Sequence, residues 1–206
     1  MHTVIDHPLV KDKLTKIRDK NTKSKDFRDL LREITALMMY EVAKFYPLKK
    51  INIETPISKT IGYQLKNELV LVPILRAGLG MVDGISQIVP SVKIGHIGLY
   101  RNEKTLNPIE YYTKLPNSVK NADVLVLDPM LATGNSLSKA IDLIKKFKPK
   151  SIKYLGLVGS YFGLKKVQKD HPDVDIFLAG LDEKLNKDGY ITPGLGDAGD
   201  RLFGTK

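Results

Sequence analysis

An α/β fold on a parallel sheet is predicted by three features of the sequence. Apolar runs of strand length alternate with runs of helical spacing between residues 69 and 179. Several strand-like runs are apolar at almost every position, as in strands covered on both faces. Small, polar, glycine-containing segments follow them, and in open parallel sheets ligands bind beyond the strand ends. Strands alternating with helices imply βαβ units, with helices on both sides of the sheet.

Along the chain, Phe27, Leu30, Leu31, Ile34, Leu37, Met38, Val42 and Phe45 fall near helical spacing over residues 27–46, and Pro47 ends the run. Residues 69–74 read as a buried strand, 81–89 as a short helix and 94–100 as a strand. Residues 124–127 are a second fully apolar strand. Leu137, Ala140, Ile141 and Ile144 mark one face of a helix that Pro149 closes. Residues 152–158 and 174–179 are further strands, separated by a short helix over 164–169. The chain, residues 1–206, is expected to form one domain, with a helical segment of about residues 1–50 packed on the core.

The 206 residues include 33 basic and 23 acidic side chains, for a net charge of +10, with 42% hydrophobic residues. Those are globular proportions and argue against disorder. The absence of cysteine excludes a disulfide scaffold and a thiolate metal site. His2, His7, His96 and His171 show no metal-ligand spacing. The longest apolar run, residues 69–75, is far below the roughly 18 residues of a membrane-spanning helix. The first residues lack the apolar core of a signal peptide. A cytoplasmic protein with no membrane partner is expected.

So basic a chain invites a nucleic-acid reading. However, 27 of the basic residues are Lys and only six are Arg. Lys is often a solvated surface charge, whereas Arg makes bidentate phosphate contacts. Nine lysines between residues 139 and 169 read as the solvated face of a helix and its following turn. No zinc-finger, RNP or helix-turn-helix pattern is present, and no nucleic-acid partner is expected.

Four loops can carry chemistry. Asp128, Pro129, Met130, Leu131, Ala132, Thr133, Gly134, Asn135 and Ser136 join a buried strand to a helix. Free N–H groups and the helix dipole favour a phosphate there. Thr133 and Ser136 add hydroxyl donors, Gly134 allows close approach, and Asp128 can accept from sugar hydroxyls. Ser136 is also a good N-cap. The loop after residue 74 carries Arg76 beside Gly78 and Gly80, a second candidate anion site. Residues 101–108 read as a polar hairpin in which Arg101 and Lys104 can fold over an anion. Residues 189–204 hold five glycines, which predicts an ordered loop with neither helix nor strand.

Taken together, the motifs VPILRAGLGM, YRNE, DPMLATG and YITPGLGDAGDRLFGT resemble the uracil phosphoribosyltransferase family, over nearly the whole chain. The resemblance implies a phosphoribosyltransferase-like sheet with a β-hairpin arm and a C-terminal base-binding loop. It implies that residues 128–136 bind the 5-phosphate and ribose of 5-phosphoribosyl 1-diphosphate (PRPP). Arg76 is similar to the family's diphosphate-side arginine and Arg101 to its mobile-arm arginine. Ile191, Gly196, Asp197 and Ala198 match the uracil-binding segment, and Asp197 also matches a contact to the phosphoribosyl group. Asp197, Arg76 and Arg101 are the implied catalytic residues.

The implied reaction joins uracil to PRPP, giving UMP and diphosphate. Mg²⁺ is expected on PRPP, with no direct protein ligand. A homodimer or larger homo-oligomer is implied, and GTP activates some members. Three positions depart from the family pattern: Asn135, where Gly is usual; Asp12, where His is usual; and residues 158–163, in place of a Pro-Glu-Gly stretch. Asn135 and the Tyr161-Phe162 pair are the grounds for a second reading, a catalytically weak ligand-binding or regulatory protein on the same scaffold.

Overall fold

The computed structural model describes residues 1–101 and 108–205, with the backbone alone for Arg101. The chain opens with β1 (His2–Val4), α1 (Pro8–Arg18), α2 (Ser24–Ala43), β2 (Leu48–Glu54) and β3 (Lys59–Leu65). β4 (Leu69–Leu75) leads through a 3₁₀ turn, Ala77–Met81, into α3 (Val82–Ile88). β5 (Lys93–Ile94), β6 (His96–Arg101) and β7 (Pro108–Lys114) follow. Then come β8 (Asp123–Leu127), β9 (Met130–Leu131), α4 (Asn135–Lys145), β10 (Ser151–Ser160) and α5 (Tyr161–Asp170). The chain continues with β11 (Asp175–Asp182), β12 (Lys184–Leu185), β13 (Ile191–Thr192) and α6 (Ala198–Phe203).

The main sheet runs β1-β11-β10-β8-β4-β6-β7, with β5 beside β4 and β9 beside β10. Its pairs are parallel except β6–β7, an antiparallel hairpin. The expected sheet and hairpin are therefore present.

Side-chain alternation sorts the buried strands into two cores. Leu69 and Leu71 of β4 and Leu125 and Leu127 of β8 face the first. Val70, Val72, Ile74, Val124 and Val126 face the second. The first core takes the apolar stripes of α1, α2, α3 and α6, including Ile17, Phe27, Leu31, Met38, Ile85 and Leu202. The second takes Leu137, Ile141 and Ile144 of α4 and Leu164 and Val167 of α5. Pro8 opens α1, where the His7 ring nitrogen Nδ1 accepts from Leu9 N–H at 3.2 Å.

Two expectations are corrected. The first 50 residues are not helical throughout: α2 ends at Ala43, and Leu48 begins a two-stranded ribbon, β2–β3. Its apolar side chains Ile53, Ile57, Ile61 and Tyr63 are exposed, so it has no buried stripe to mark it. Residues 189–204 do contain a strand and a helix, β13 and α6. Local capping overrides the glycine content: the Asp197 carboxylate accepts from Asp200 N–H at 2.9 Å, and Gly204 ends the helix at φ 67°.

Candidate active site

The loop from Asp128 to Ser136 leaves the carboxyl end of β8 and is pinned to β10. The Tyr154 hydroxyl donates to the Asp128 carbonyl at 2.7 Å. The Pro129 carbonyl accepts from the N–H groups of Leu157 and Val158 at 3.1 and 3.0 Å. Met130 and Leu131 pair in register with Val158 and Gly159. Ser160 Oγ then donates to the Ala132 carbonyl at 2.5 Å and accepts from Gly163 N–H at 2.9 Å. A side chain at Gly163 would collide with that same carbonyl. Residues 158–163 thus form the rear support of the loop, while Tyr161 and Phe162 face solvent.

Gly134 holds the left-handed conformation, at φ 81°, that turns the loop into α4. It stands at the N-cap position, which corrects the expected cap at Ser136. Asn135 is the first helical residue, so its side chain imposes no left-handed strain. Its N–H lies 3.5 Å from the Thr133 hydroxyl oxygen.

Asp128 is the most perturbed carboxyl group at this end of the sheet. Burial pushes it up to about 7, opposed by a hydrogen bond from Met130 N–H at 3.3 Å. An Asp poised near neutrality in a cleft is a functional-site signature.

The second loop follows β4. The Leu75–Arg76 peptide is cis. A side chain at Gly78 would collide with the Leu127 carbonyl, so glycine lets this loop close against the end of β8. Arg76 is exposed, and its guanidinium sits 5.7 Å from the centre of the Phe203 ring of α6.

The third wall is the C-terminal segment. Together the walls enclose a cleft of about 410 Å³. Ala77 lines it from the second loop, and Asp128, Met130 and Ala132 line it from the first. Ile191, Gly196, Asp197 and Ala198 line it from the C-terminal side. Of the expected residues, Arg76, Pro129, Leu131, Thr133, Gly134, Asn135 and Ser136 do not line this volume, although they lie in the loops around it. The Arg101 side chain and residues 102–107, Lys104 among them, lie outside the described residues.

Asp188 lines the cleft just outside the four loops singled out from sequence, while Gly189, Tyr190 and Gly199 line it from within the fourth without having been named as base contacts. Tyr190 opens the YITPGLGDAGDRLFGT motif, which was the available signal. Among the described residues no group of three or more Asp, Glu or His side chains is placed to hold a metal ion, and no helix is long and apolar enough to cross a membrane.

The family model of uracil phosphoribosyltransferase matches residues 4–205. The chain is 58% identical over 207 residues to a uracil phosphoribosyltransferase of Ureaplasma urealyticum serovar 10, covering all of both chains. It is 58% identical over 204 residues to one from Bacillus cereus strain B4264, covering 98% of each. Among solved structures, the AQ2163 protein of Aquifex aeolicus superposes with a TM-score of 0.94 at 40% identity, over 98% of each chain. A hypoxanthine phosphoribosyltransferase from Trypanosoma cruzi, at 14% identity and a TM-score of 0.52, covers 79% of this chain and 76% of its own, and shares the fold alone. With its motifs, its fold and its whole-length relatives in agreement, the chain belongs to the uracil phosphoribosyltransferase family.

Proposed function

We propose that the chain transfers the phosphoribosyl group of PRPP to uracil, giving UMP and diphosphate. The observation that carries this reading is one cleft bordered by an anion-type loop, an arginine-bearing loop and a backbone-rich C-terminal segment. Residues 128–136 take the 5-phosphate and ribose. The first turn of α4 has N–H groups without intrahelical acceptors, and its dipole favours an anion. Asp128 accepts from the ribose hydroxyls, while Arg76 and Arg101 neutralise charge growing on the diphosphate.

Ile191, Gly196 and Ala198 read the edge of uracil through backbone groups. That edge runs acceptor, donor, acceptor, and cytosine would leave buried partners unpaired at about 1–3 kcal/mol each. The bond from C1′ to the diphosphate oxygen breaks, a bond from C1′ to N1 of uracil forms, and the N1 proton is released to solvent, so that uracil and PRPP become UMP, diphosphate and a proton. Asp197 stabilises the positive charge that builds on the ribose.

The oxygen donors lining the cleft suit Mg²⁺, which keeps several waters and binds through substrate phosphates. When bound, the ion would supply charge neutralisation at the diphosphate. Asp188 and Asp197 are available to accept from its waters.

The decisive assay is UMP formation from uracil and PRPP with Mg²⁺; no turnover would overturn the reading. Adding GTP to the same assay tests the effector role. Asp197→Asn separates charge from structure, because Asn caps helices as well as Asp does and preserves the cap on α6. The expected result is a kcat lowered far more than KM is raised. An unchanged kcat would remove Asp197 from the chemistry.

A homo-oligomer belongs to the same proposal. It is supported by the β2–β3 ribbon, whose Ile57 is 95% exposed beside exposed Ile53, Ile61 and Tyr63. Two strands alone are marginal in water, and clustered exposed apolar side chains mark interaction surfaces. A sedimentation mass of one chain would count against it. Cytoplasmic placement follows from the substrate, a multiply charged anion that does not cross a bilayer unaided.

A further inference from the structure

The segment between β13 and α6 is a thin wall. Gly196 and Asp197 line the cleft on one side and, on the other, a rear hollow of about 490 Å³. Leu195 ties the wall to the first core, and polar bonds fix the backbone on either side of it.

The central bond set belongs to Arg18 and Asp182. Arg18 lies in the last turn of α1, and Asp182, 9% exposed, ends β11. Their pairing is two-pronged, Nη1 to Oδ2 at 2.7 Å and Nη2 to Oδ1 at 2.8 Å. Both then grip Gly194. Arg18 Nη1 donates to its carbonyl at 2.8 Å, and its N–H donates to Asp182 Oδ2 at 2.8 Å. Gly194 sits at φ 57°, and a side chain there would collide with the Ile191 carbonyl. Thus both backbone groups of one obligatory glycine are tied to a single ion pair. A Cβ at Gly180 would lie 3.0 Å from Arg18 Nη2, so glycine leaves room for the fork.

Arg201 of α6 makes the opposite crossing. It donates to the Leu195 carbonyl at 2.8 Å and to the carbonyls of Ile17 and Asp19, at 2.7 and 2.6 Å. The end of α1 therefore reaches the wall through Arg18 and is reached from it through Arg201.

We infer that Arg18 and Asp182 are positioning residues for base recognition: their ion pair holds the backbone of residues 193–196 at the height from which uracil's edge is read. Neither side chain lines the cleft. The fixed fork of a guanidinium pairs both carboxylate oxygens from separate nitrogens and still aims a second Nη1 hydrogen at the Gly194 carbonyl, a geometry that a single ammonium nitrogen matches less well. The inference rests on the proposed assignment of residues 191–198 to the base.

Two measurements test it, on Arg18→Met, Arg18→Lys and Asp182→Asn in the full chain. The first is steady-state kinetics with uracil and PRPP varied separately. A displaced reading edge is expected to raise KM for uracil about tenfold or more in Arg18→Met. Arg18→Lys should recover part of that loss. KM for PRPP should stay within about twofold, and the preference for uracil over cytosine in kcat/KM should fall. Equal rises in both KM values, or an unchanged KM for uracil, would overturn the inference. The second is amide hydrogen exchange of residues 190–198 in ligand-free protein. Faster exchange confined to that stretch in all three variants supports the clamp, and unchanged exchange overturns it. Failure of the wild type to form UMP would count against the proposed function, and the exchange comparison would still decide on the clamp.

Discussion

Arg76→Ala is expected to lower kcat about 10²–10³-fold, while KM for uracil stays within about twofold. Arg76 leaves β4 beside the cleft, and among the described residues no carboxylate pairs with it. The Phe203 ring lies 5.7 Å from its guanidinium, a cation–π contact that uses none of its donors. Those donors remain available for the proposed contact to the leaving diphosphate, which is more negative in the transition state than in the ground state. An interaction that strengthens there lowers kcat when it is lost. Arg76→Lys should restore part of the rate, because it keeps the charge and loses the fork. Steady-state kinetics with PRPP varied provides the check. A raised KM for PRPP at unchanged kcat would reduce Arg76 to a ground-state contact.

Asp128→Asn carries the second large effect, and it has two readouts with opposite signs. Activity should fall by about 10²-fold in kcat/KM for PRPP, since a charged acceptor for the ribose hydroxyls is lost. Stability should rise, but only at high pH. The Asp128 carboxyl titrates near 7 in the folded protein against 3.8 ordinarily, because burial disfavours its charge. The folded protein therefore binds more protons than the unfolded chain between about pH 4 and pH 7. Stability falls as pH rises through that window and levels off above it. The difference is on the order of a few kcal/mol at pH 8. Asparagine removes the penalty and keeps the acceptor for Met130 N–H. Thermal unfolding should place Asp128→Asn above the wild type at pH 8 and level with it near pH 4. The same carboxyl makes PRPP affinity rise with pH up to about 7, with proton release on binding below that pH. Calorimetry in buffers of different protonation enthalpy reads that release; a buffer-independent heat at pH 6.5 would contradict it.

The parallel sheet was legible because its strands are buried on both faces, which leaves an unbroken apolar run in β4 and in residues 124–127 of β8, and in β10 one interrupted by Lys153. The helices α2 and α4 were legible through their stripes. The β2–β3 ribbon was not, because its apolar side chains face outward and it has no buried side to write a pattern. In α6, composition misled: glycine counts describe a segment's average, whereas a six-residue helix depends on its two caps, Asp197 and Gly204. For the site, strand-loop-helix order pointed to residues 128–136 without side-chain detail. The support from Ser160 and Gly163 was illegible, because it links positions 28 and 31 residues from Ala132 through one hydroxyl and a close backbone approach. The Arg18–Asp182 pair spans 164 residues and leaves no local trace.

The two cores on either side of the sheet give the cleft a mechanical meaning. The loop of residues 128–136, proposed for the phosphate, puts Leu131 in the second core and runs into α4 there, with Met130 and Ala132 packed on the first, whereas the C-terminal wall is anchored in the first through Ile191, Leu195, Ala198 and Leu202. A ligand that spans both walls joins two halves that otherwise communicate through the strands between them and through Met130 and Ala132. On the proposed assignments, uracil alone or a sugar phosphate alone grips one half. A nucleotide grips both, and acts as a removable crosslink across the sheet, so the nucleotide-filled molecule should unfold as a more tightly coupled unit than the empty one.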